Sequence, residues 1–574
     1  MKEEHIDKLE KMRHSCAHLL AAAVVKLWPK TKLGIGPAIE DGFYYDFDFK
    51  TSISEDDLQK IEKEMKNIQK TWKGFGRIEK TISEAKKLEK NQPYKLDLIN
   101  EFGKSASKVS FYKSGDFVDL CKGGHVETAK EIGPFKLLSV AGAYWRGSEK
   151  NPMLTRIYGV CFASQKELEE YLAKIEEAKK RDHKRLGQEL SLFSFLPQSP
   201  GMPYWYPKGF TLLSLIRGLI RKLNRKHGYL EISTPLLAKK EVWETSGHWS
   251  LFRENMFTFD MDGQTYVLKP MNCPQTLLFY KTKQFSYRDL PMKLSDLDTL
   301  HRYEESGTLN GLFRVRELSQ DDAHVICEAE QAESIIEEVV IMAKILYEIF
   351  DLTPNLYIST RPDKALGSIS EWKKAESILE KVLRKMGINF GVKSKEGSFY
   401  GPKIDFHVKD SLGRDWQLAT TQLDIQMPKL FKATYTDKNG KETTPIMVHR
   451  AILGSLERFI GILIEHYGGA FPTWLSPTQV IVLPITDRNL NYGQKVVDIL
   501  ITKGARAELD SRSETLQSKI RNAQLQKIPY MLVVGDKEQV QNKVSIRHRE
   551  RGDEGSKKID AFIQDLEEET HLPL

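Results

Sequence analysis

Cysteine is scarce in this chain. Five thiols, at Cys16, Cys121, Cys161, Cys273 and Cys327, are spread over 574 residues. So odd, low and scattered a set excludes a disulfide framework and fits free thiols in a reducing compartment, so a cytoplasmic location is expected. Long apolar runs are missing too. The longest, Phe459 to Ile464 within SLERFIGILIEHY, is too short to cross a bilayer and reads as a buried helix. The opening MKEEHIDKLEKMRHSCAHLL is charged throughout and holds no apolar signal core. Low-complexity tracts and internal repeats are absent, which excludes a largely disordered chain and a repeat array. Charge of one sign is also in short supply. With 86 Lys and Arg against 79 Asp and Glu, the net +7 permits a nucleic-acid partner without arguing for one.

What is present suffices for several packed cores, and the length suggests about three or four domains. The first 165 residues read as a compact α+β unit. His14 to Trp28 has helical periodicity, DGFYYDFDF alternates as a strand, and Ser54 to Trp72 is an amphipathic helix. Ser-Glu pairs at 54–55 and 83–84 look like helix starts. Residues 166–192 are dense in charge at helical spacing and read as a solvated linker helix or one that touches RNA backbone. From 193 to 474, strand-like runs (TYVLKP, NLYIST, KIDFHV) mix irregularly with helices, which predicts a mainly antiparallel sheet. From 475 to 574 strands alternate with helices, which predicts a small α/β domain with a largely parallel sheet.

The segment HRYEESGTLNGLFRVRELSQDDAH (301–324) is the richest in chemistry. Arg302, Arg314 and Arg316 flank a Gly307–Gly311 turn, beside Glu304 and Glu305. This is either a surface charge cluster or a polyphosphate site, where guanidinium forks would bind phosphate bidentately. Two further patterns lie near the start. His14-Ser-Cys-Ala-His18 puts two imidazoles one helical turn apart, and Cys121-Lys-Gly-Gly-His125 has like spacing. Metal binding, catalysis without metal and a structural role all remain open for them.

Arg302-Tyr303-Glu304, GYLEISTP (228–235) and GSLERF (454–459) resemble, in this order, the second, first and third signature motifs of class II aminoacyl-tRNA synthetases. The fragments MNCP (271–274), QDDAH (320–324), FYGPKIDF (399–406), WQLATTQLD (416–424) and VHRAILGSLERFIGILIEHYGGAFPTWLSP (448–477) are similar to the threonyl-tRNA synthetase family almost phrase by phrase. The likeness covers essentially the whole chain. It implies a multidomain α+β protein with an editing domain (1–165), a linker helix (166–192), a class II catalytic domain on an antiparallel sheet (193–474) and an anticodon-binding α/β domain (475–574). It also implies a ligase acting on L-threonine, ATP and tRNA(Thr), working as a homodimer away from membranes.

The resemblance assigns roles by residue. Cys273, His324 and His449 become ligands of one Zn²⁺ per subunit, a set that spacing alone would not reveal. Gln320, Asp322, Tyr400, Lys403 and Gln422 become the threonine pocket. Arg302, Glu304, Arg314, Gln417 and Arg458 become the site for ATP with Mg²⁺, and Arg302, Glu304 and Arg458 are the catalytic set. Threonine and valine are nearly isosteric, so a metal that takes the amino and hydroxyl groups would reject valine. Serine keeps the hydroxyl, and one missing methyl gives only about 1–3 kcal/mol. A second, hydrolytic site is therefore expected, and His14, His18, Lys95, Asp119, Cys121 and His125 match the family's editing residues, with metal there left open. Glu538 and Arg547 match positions that read the anticodon.

Departures are also visible. The resemblance implies a small ubiquitin-like domain before the editing domain, whereas this sequence begins almost at the editing helix, so either the lineage lacks that domain or the chain has been trimmed. Gln275-Thr276 stand where Gly-His is common, Asp296-Leu297-Asp298 where Glu-Phe-Gly is, Asn310 for a histidine, and Leu318 for a phenylalanine that stacks on adenine. An RNA-binding paralogue without activity could show such changes, and a stand-alone editing hydrolase is a further alternative. Against both, every zinc, ATP and editing residue named is present.

Overall fold

The computed structural model describes residues 2–410 and 413–574. The chain divides into two compact units, Met1–Glu176 and Glu177–Leu574.

The first unit is built on the helix Lys2–Leu27. Its Ala- and Leu-rich stretch is made of strong helix formers with little side-chain entropy to lose. Cys16, Ala17, Leu19, Leu20, Ala21, Ala23 and Val24 are wholly buried against Phe43, Tyr45 and Phe47 of the strand Gly42–Asp48. That strand alternates as expected, with one refinement. Asp46 on its other face is also buried, held by both oxygens to Arg156 at 2.6 and 2.9 Å. The sheet runs Lys32–Leu33, Gly42–Asp48, Met153–Cys161, Phe135–Tyr144, and the helix Leu58–Thr71 covers it beside the first. A smaller antiparallel sheet (Gly76–Thr81, Lys108–Ser114, Phe117–Leu120) carries the helices Ile82–Leu88 and Pro93–Phe102. Ser54 opens a helical turn as predicted. The second start differs, because Thr81 rather than Ser83 is the cap. Its hydroxyl accepts from the Glu84 N–H, and Glu84 reaches back to the Thr81 N–H, which leaves Ser83 inside the helix.

The charged stretch 166–190 is two helices. Gln165–Arg181 buries only Leu168, as a solvated helix should. Asp182 then stops it by capping a second helix, His183–Glu189, which buries His183 and Leu186.

The second unit holds a nine-stranded sheet. Its order is Leu230–Glu231, Met292–Asp296, Glu317–Cys327, Ile446–Ser455, Asp415–Asp424, Lys403–Lys409, Pro354–Ser359, Phe390–Lys393, with Thr299–His301 beside Glu317–Cys327. Only the two outermost pairings are parallel. The helices Pro207–Lys226, Ala332–Glu348 and Leu456–Tyr467 bury their apolar faces in the core behind it. The C-terminal sheet differs from expectation. Val480–Pro484 is parallel to Ala507–Leu509 and Tyr530–Val534, but Lys543–His548 and Gly552–Lys558 join antiparallel, so the sheet is mixed. Residues 535–542 are too few for the crossover that a further parallel strand needs. Among the described residues, no helix is long and apolar enough to cross a membrane.

Candidate functional site

Two clusters of metal-ligating side chains stand out, one in each unit: His14, His18, Cys121, His125, and Cys273, His324, His449. Within each, the donor atoms lie within 4.8 Å of one another.

In the second unit, sheet register builds the site. His324 and His449 face each other across adjacent strands, and Gln422 is the neighbour of His449 on its other side. Cys273 enters from the first turn of the helix Cys273–Tyr280, and all three ligand candidates are buried. Period-two alternation separates the two aspartates of QDDAH. Asp321 turns into the core, where it pairs with the buried Arg450 at 2.7 Å and accepts from the Ile452 and Leu453 N–H groups. Asp322 turns to the site, accepting from Asn272 Nδ2 at 3.1 Å. Asp424 Oδ2 lies 2.9 Å from His449 Nε2, which orients that ring and leaves Nδ1 available as a ligand. Thr276 Oγ1 lies 3.5 Å from His324 Nδ1 and does the same for Nε2. Thus one of the two departures after MNCP touches a candidate ligand. Tyr400 stacks on His449, with ring centres 5.0 Å apart, and its hydroxyl donates to Gln422 Oε1 at 2.5 Å.

Burial pushes the Cys273 thiol well above its ordinary range and holds His324 well below its own. It also lifts Asp322 to about 6. Among the described residues, neither Asp322 nor Asp424 pairs with a lysine or arginine. A cation with soft and imidazole ligands would relieve this pocket, so the donor set fits Zn²⁺ with open positions.

The arginines converge beside it. Arg302 is held by its Nε on the Pro270 carbonyl at 3.2 Å, with Nη2 3.5 Å from Gln320 Oε1. Arg458 donates from Nε to the Phe313 carbonyl at 2.9 Å, and Arg314 pairs with Glu304 at 2.9 Å. Burial and then the like charges of Arg302 and Arg314 disfavour the charged form of Arg458. Guanidiniums crowded in this way, with Glu304 paired to Arg314 and Asp322 near Arg302, make an anion site. Gln417 Nε2 donates to Asp405 Oδ1 at 2.6 Å, and Lys403 pairs with the other oxygen of Asp405 at 2.9 Å. Leu318 packs in a small buried cluster with Leu300 and Val315. Sequence reasoning missed Asp424, although the quoted phrase WQLATTQLD ends on it. It also missed His248, which is wholly buried with Nε2 unpartnered and is driven down to about 3 by burial and by His449.

In the first unit, His14 and His18 sit one turn apart on the long helix, and Cys121 and His125 approach on a loop. Cys121 Sγ lies 3.4 Å from both His14 Nε2 and His125 Nε2. The Gly123 N–H points at the same sulfur at 3.3 Å, and Gly123 and Gly124 both take positive φ (113° and 88°), which side chains resist. Ser15 Oγ lies 3.1 Å from His125 Nδ1, and Phe75 stacks flat on that ring. Lys95 and Asp119 form a buried pair at 2.5 Å, and Tyr45, missed in the sequence, donates to Asp119 at 2.6 Å and accepts from Lys95 at 3.0 Å. Burial takes His125 down to about 2, lowers His14 and His18, and lifts Cys121 to about 11. At neutral pH the cluster is three neutral imidazoles and a thiol beside an already balanced ion pair. All six residues expected here thus meet in one place.

Glu538 and Arg547 are not joined by a hydrogen bond or ion pair among the described residues. Glu538 accepts from the Gly535 N–H and the Ser545 hydroxyl, each at 3.0 Å, while Arg547 keeps a buried Nε without a partner.

Comparison with known proteins gives three family matches: tRNA synthetase class II core domain (G, H, P, S and T) over residues 257–467, anticodon binding domain over 479–569, and threonyl and alanyl tRNA synthetase second additional domain over 109–158. The threonine–tRNA ligase of Clostridioides difficile (strain 630) is 49% identical over 98% of this chain and 88% of its own. That of Thermotoga neapolitana is 49% identical over 97% and 87%. Among solved structures, the RNA binding domain of threonyl-tRNA synthetase from Cryptosporidium parvum Iowa II superposes with a TM-score of 0.66 at 39% identity, covering 68% of this chain and 98% of that one.

Proposed function

Because the chain belongs to the threonyl-tRNA synthetase family, we propose that its buried Cys273–His324–His449 pocket selects threonine, its arginine cluster binds ATP, and its N-terminal histidine cluster removes serine from tRNA(Thr). The protein is a threonine–tRNA ligase, a class II aminoacyl-tRNA synthetase that also carries the editing-associated domain. The observation that carries the site reading is the adjacency of two chemistries, a Cys/His/His pocket with Asp322 beside it and Arg302 held next to it by the Pro270 carbonyl and Gln320.

In the first step the threonine carboxylate attacks the α-phosphorus of ATP, and the bond to pyrophosphate breaks. Arg302 and Arg458 neutralise the charge that builds on the phosphate oxygens, and Arg314 takes the outer phosphates. Glu304 and Gln417 fix the nucleotide. Gln320, Asp322, Tyr400, Lys403 and Gln422 orient the amino acid so that its carboxylate is in line. In the second step the terminal ribose hydroxyl of tRNA(Thr) attacks the carbonyl carbon and AMP leaves. Cys273, His324 and His449 would hold one Zn²⁺, which when bound would supply a Lewis acid able to favour threonine's amine and hydroxyl over valine's methyl. Mg²⁺ enters with ATP.

Serine keeps the hydroxyl, so a metal would not reject it as it would valine, and discrimination against serine is assigned to the first unit. There His14, whose basicity burial lowers less than that of His18 and His125, can take a proton from the water that attacks the seryl carbonyl and pass it to the ribose oxygen as the ester bond breaks, while His18 and His125 hold the water and the ester. Cys121 and the Lys95–Asp119 pair shape and hold the pocket. The balanced charge of this pocket supports hydrolysis without a metal. Glu538 and Arg547 contact anticodon bases. A homodimer through residues 228–237 is supported by the edge position of Leu230–Glu231 and the exposure of Leu230 (65%), Leu236 and Leu237. Free thiols support a cytoplasmic location.

The test is ATP–pyrophosphate exchange with threonine, serine and valine. Strong exchange with threonine, less with serine and almost none with valine is expected. No exchange from folded, zinc-loaded protein would overturn the reading and leave an RNA-binding paralogue.

A further inference from the structure

We infer that His183, at the head of the short helix entering the second unit, is a positioning residue for ATP activation. It pins the loop 311–313 against the helix that carries Arg458. This rests on the assignment of Arg458 to the ATP site.

His183 is 1% exposed and engages its backbone N–H and both ring nitrogens. Its backbone N–H donates to Glu465 Oε1 at 3.1 Å, and its Nδ1 lies 2.8 Å from the same oxygen. Its Nε2 accepts from the Leu312 N–H at 3.1 Å. A carboxylate can only accept from Nδ1, and a backbone N–H can only donate to Nε2. The two bonds therefore select the neutral ring protonated on Nδ1. Glu465 stands on the helix Leu456–Tyr467, two turns beyond Arg458. The loop residue next to Leu312 is Phe313, whose ring lies 4.0 Å from the imidazole and whose carbonyl accepts from Arg458 Nε. A closed frame results. Glu465 holds His183, His183 holds Leu312, and Phe313 holds Arg458, which returns to the helix of Glu465.

Three further observations point the same way. Gly311 takes φ +50°, and a Cβ there would lie 2.2 Å from His183 Nε2, so the loop is fitted to the ring. Lys184, the next residue on the short helix, donates to Asn310 Oδ1 at 3.2 Å, a second tie to the same loop. Arg314, which follows Phe313, pairs with Glu304 across the arginine cluster. Among the described residues the short helix has no hydrogen bond or ion pair to Arg302, Glu304, Arg314, Gln417 or Arg458, yet it fixes the loop whose last residue, Phe313, offers the carbonyl that aims Arg458.

The experiment is steady-state exchange kinetics on His183→Asn, His183→Gln and Gly311→Ala in the full chain, varying ATP and threonine separately. Asparagine can keep the Nδ1 bond to Glu465 but cannot reach Leu312, whereas glutamine can place an acceptor near the Nε2 position. His183→Asn should raise KM for ATP roughly tenfold, the loss of about one well-placed hydrogen bond, with KM for threonine within about twofold. His183→Gln should recover most of the loss. Gly311→Ala, which keeps the His183 side chain but presses a Cβ against its Nε2, should reproduce the ATP defect. A wild type without exchange would sink the functional reading itself. An active wild type whose Asn and Ala variants keep the KM for ATP, or lose activity only in proportion to folded fraction, would overturn the role of His183 alone.

Discussion

The two clusters use the same ligand atoms and differ in charge. Around Cys273, two buried carboxylates, Asp322 and Asp424, meet imidazoles and no lysine or arginine within ion-pair distance among the described residues. Around Cys121, the buried carboxylate of Asp119 already has Lys95 at 2.5 Å, and burial keeps the neighbouring Glu89 carboxyl raised to about 7. The first pocket is short of a cation and the second is not. Ligand type alone therefore does not identify a metal site. The charge left over after the protein's own pairings decides, because an unpaired buried charge costs several kcal/mol.

The largest effects should come from removing one ligand of the first cluster and, beside the second, the carboxylate that pairs with Lys95. Cys273→Ala or His449→Ala should abolish zinc binding and lower threonine-dependent exchange by about 10³-fold or more, while hydrolysis of seryl-tRNA(Thr) supplied from outside changes little. Asp119→Asn strands Lys95 and should slow seryl-tRNA hydrolysis by about 10²-fold with exchange intact. A loss of both activities in either variant would show that the sites are not independent. Next in size is Arg302→Ala. Its guanidinium spans the Pro270 carbonyl and Gln320, so kcat for exchange should fall about 10²–10³-fold with editing untouched.

The smallest effect concerns Glu89, which burial and then the charge of Asp119 raise to about 7. A carboxyl whose folded value lies above its unfolded value favours the fold at low pH and loses that contribution as pH rises through about 7. Thermal unfolding of Glu89→Gln against wild type should therefore diverge between pH 5 and 8, with the variant gaining about 1–3 kcal/mol at the upper end. A difference independent of pH would show that Glu89 is not held protonated.

Much of this was legible in the sequence. The two HxxxH-type spacings are local, so helix and loop geometry could be anticipated for His14, His18, Cys121 and His125. The triad was not legible from spacing, since register across three strands brings His324, His449 and Gln422 together. Only phrase-level resemblance signalled it. The parallel C-terminal sheet was over-read because alternating strands and helices do not reveal a crossover too short to return. Thr81 was missed as a cap because Ser83-Glu84 offered a nearer pair. The linker was half legible. Its charge pattern showed the exposed helix Gln165–Arg181, but not that Asp182 would cap a second helix and bury His183.

The account stands most directly on metal content. Zinc should be measured by mass spectrometry on the purified wild type, Cys273→Ala and Cys121→Ala, each after dialysis against a weak chelator. About one zinc per chain in the wild type and in Cys121→Ala, and almost none in Cys273→Ala, is the predicted result. Two zincs in the wild type with one lost from Cys121→Ala, or zinc retained by Cys273→Ala, would contradict it.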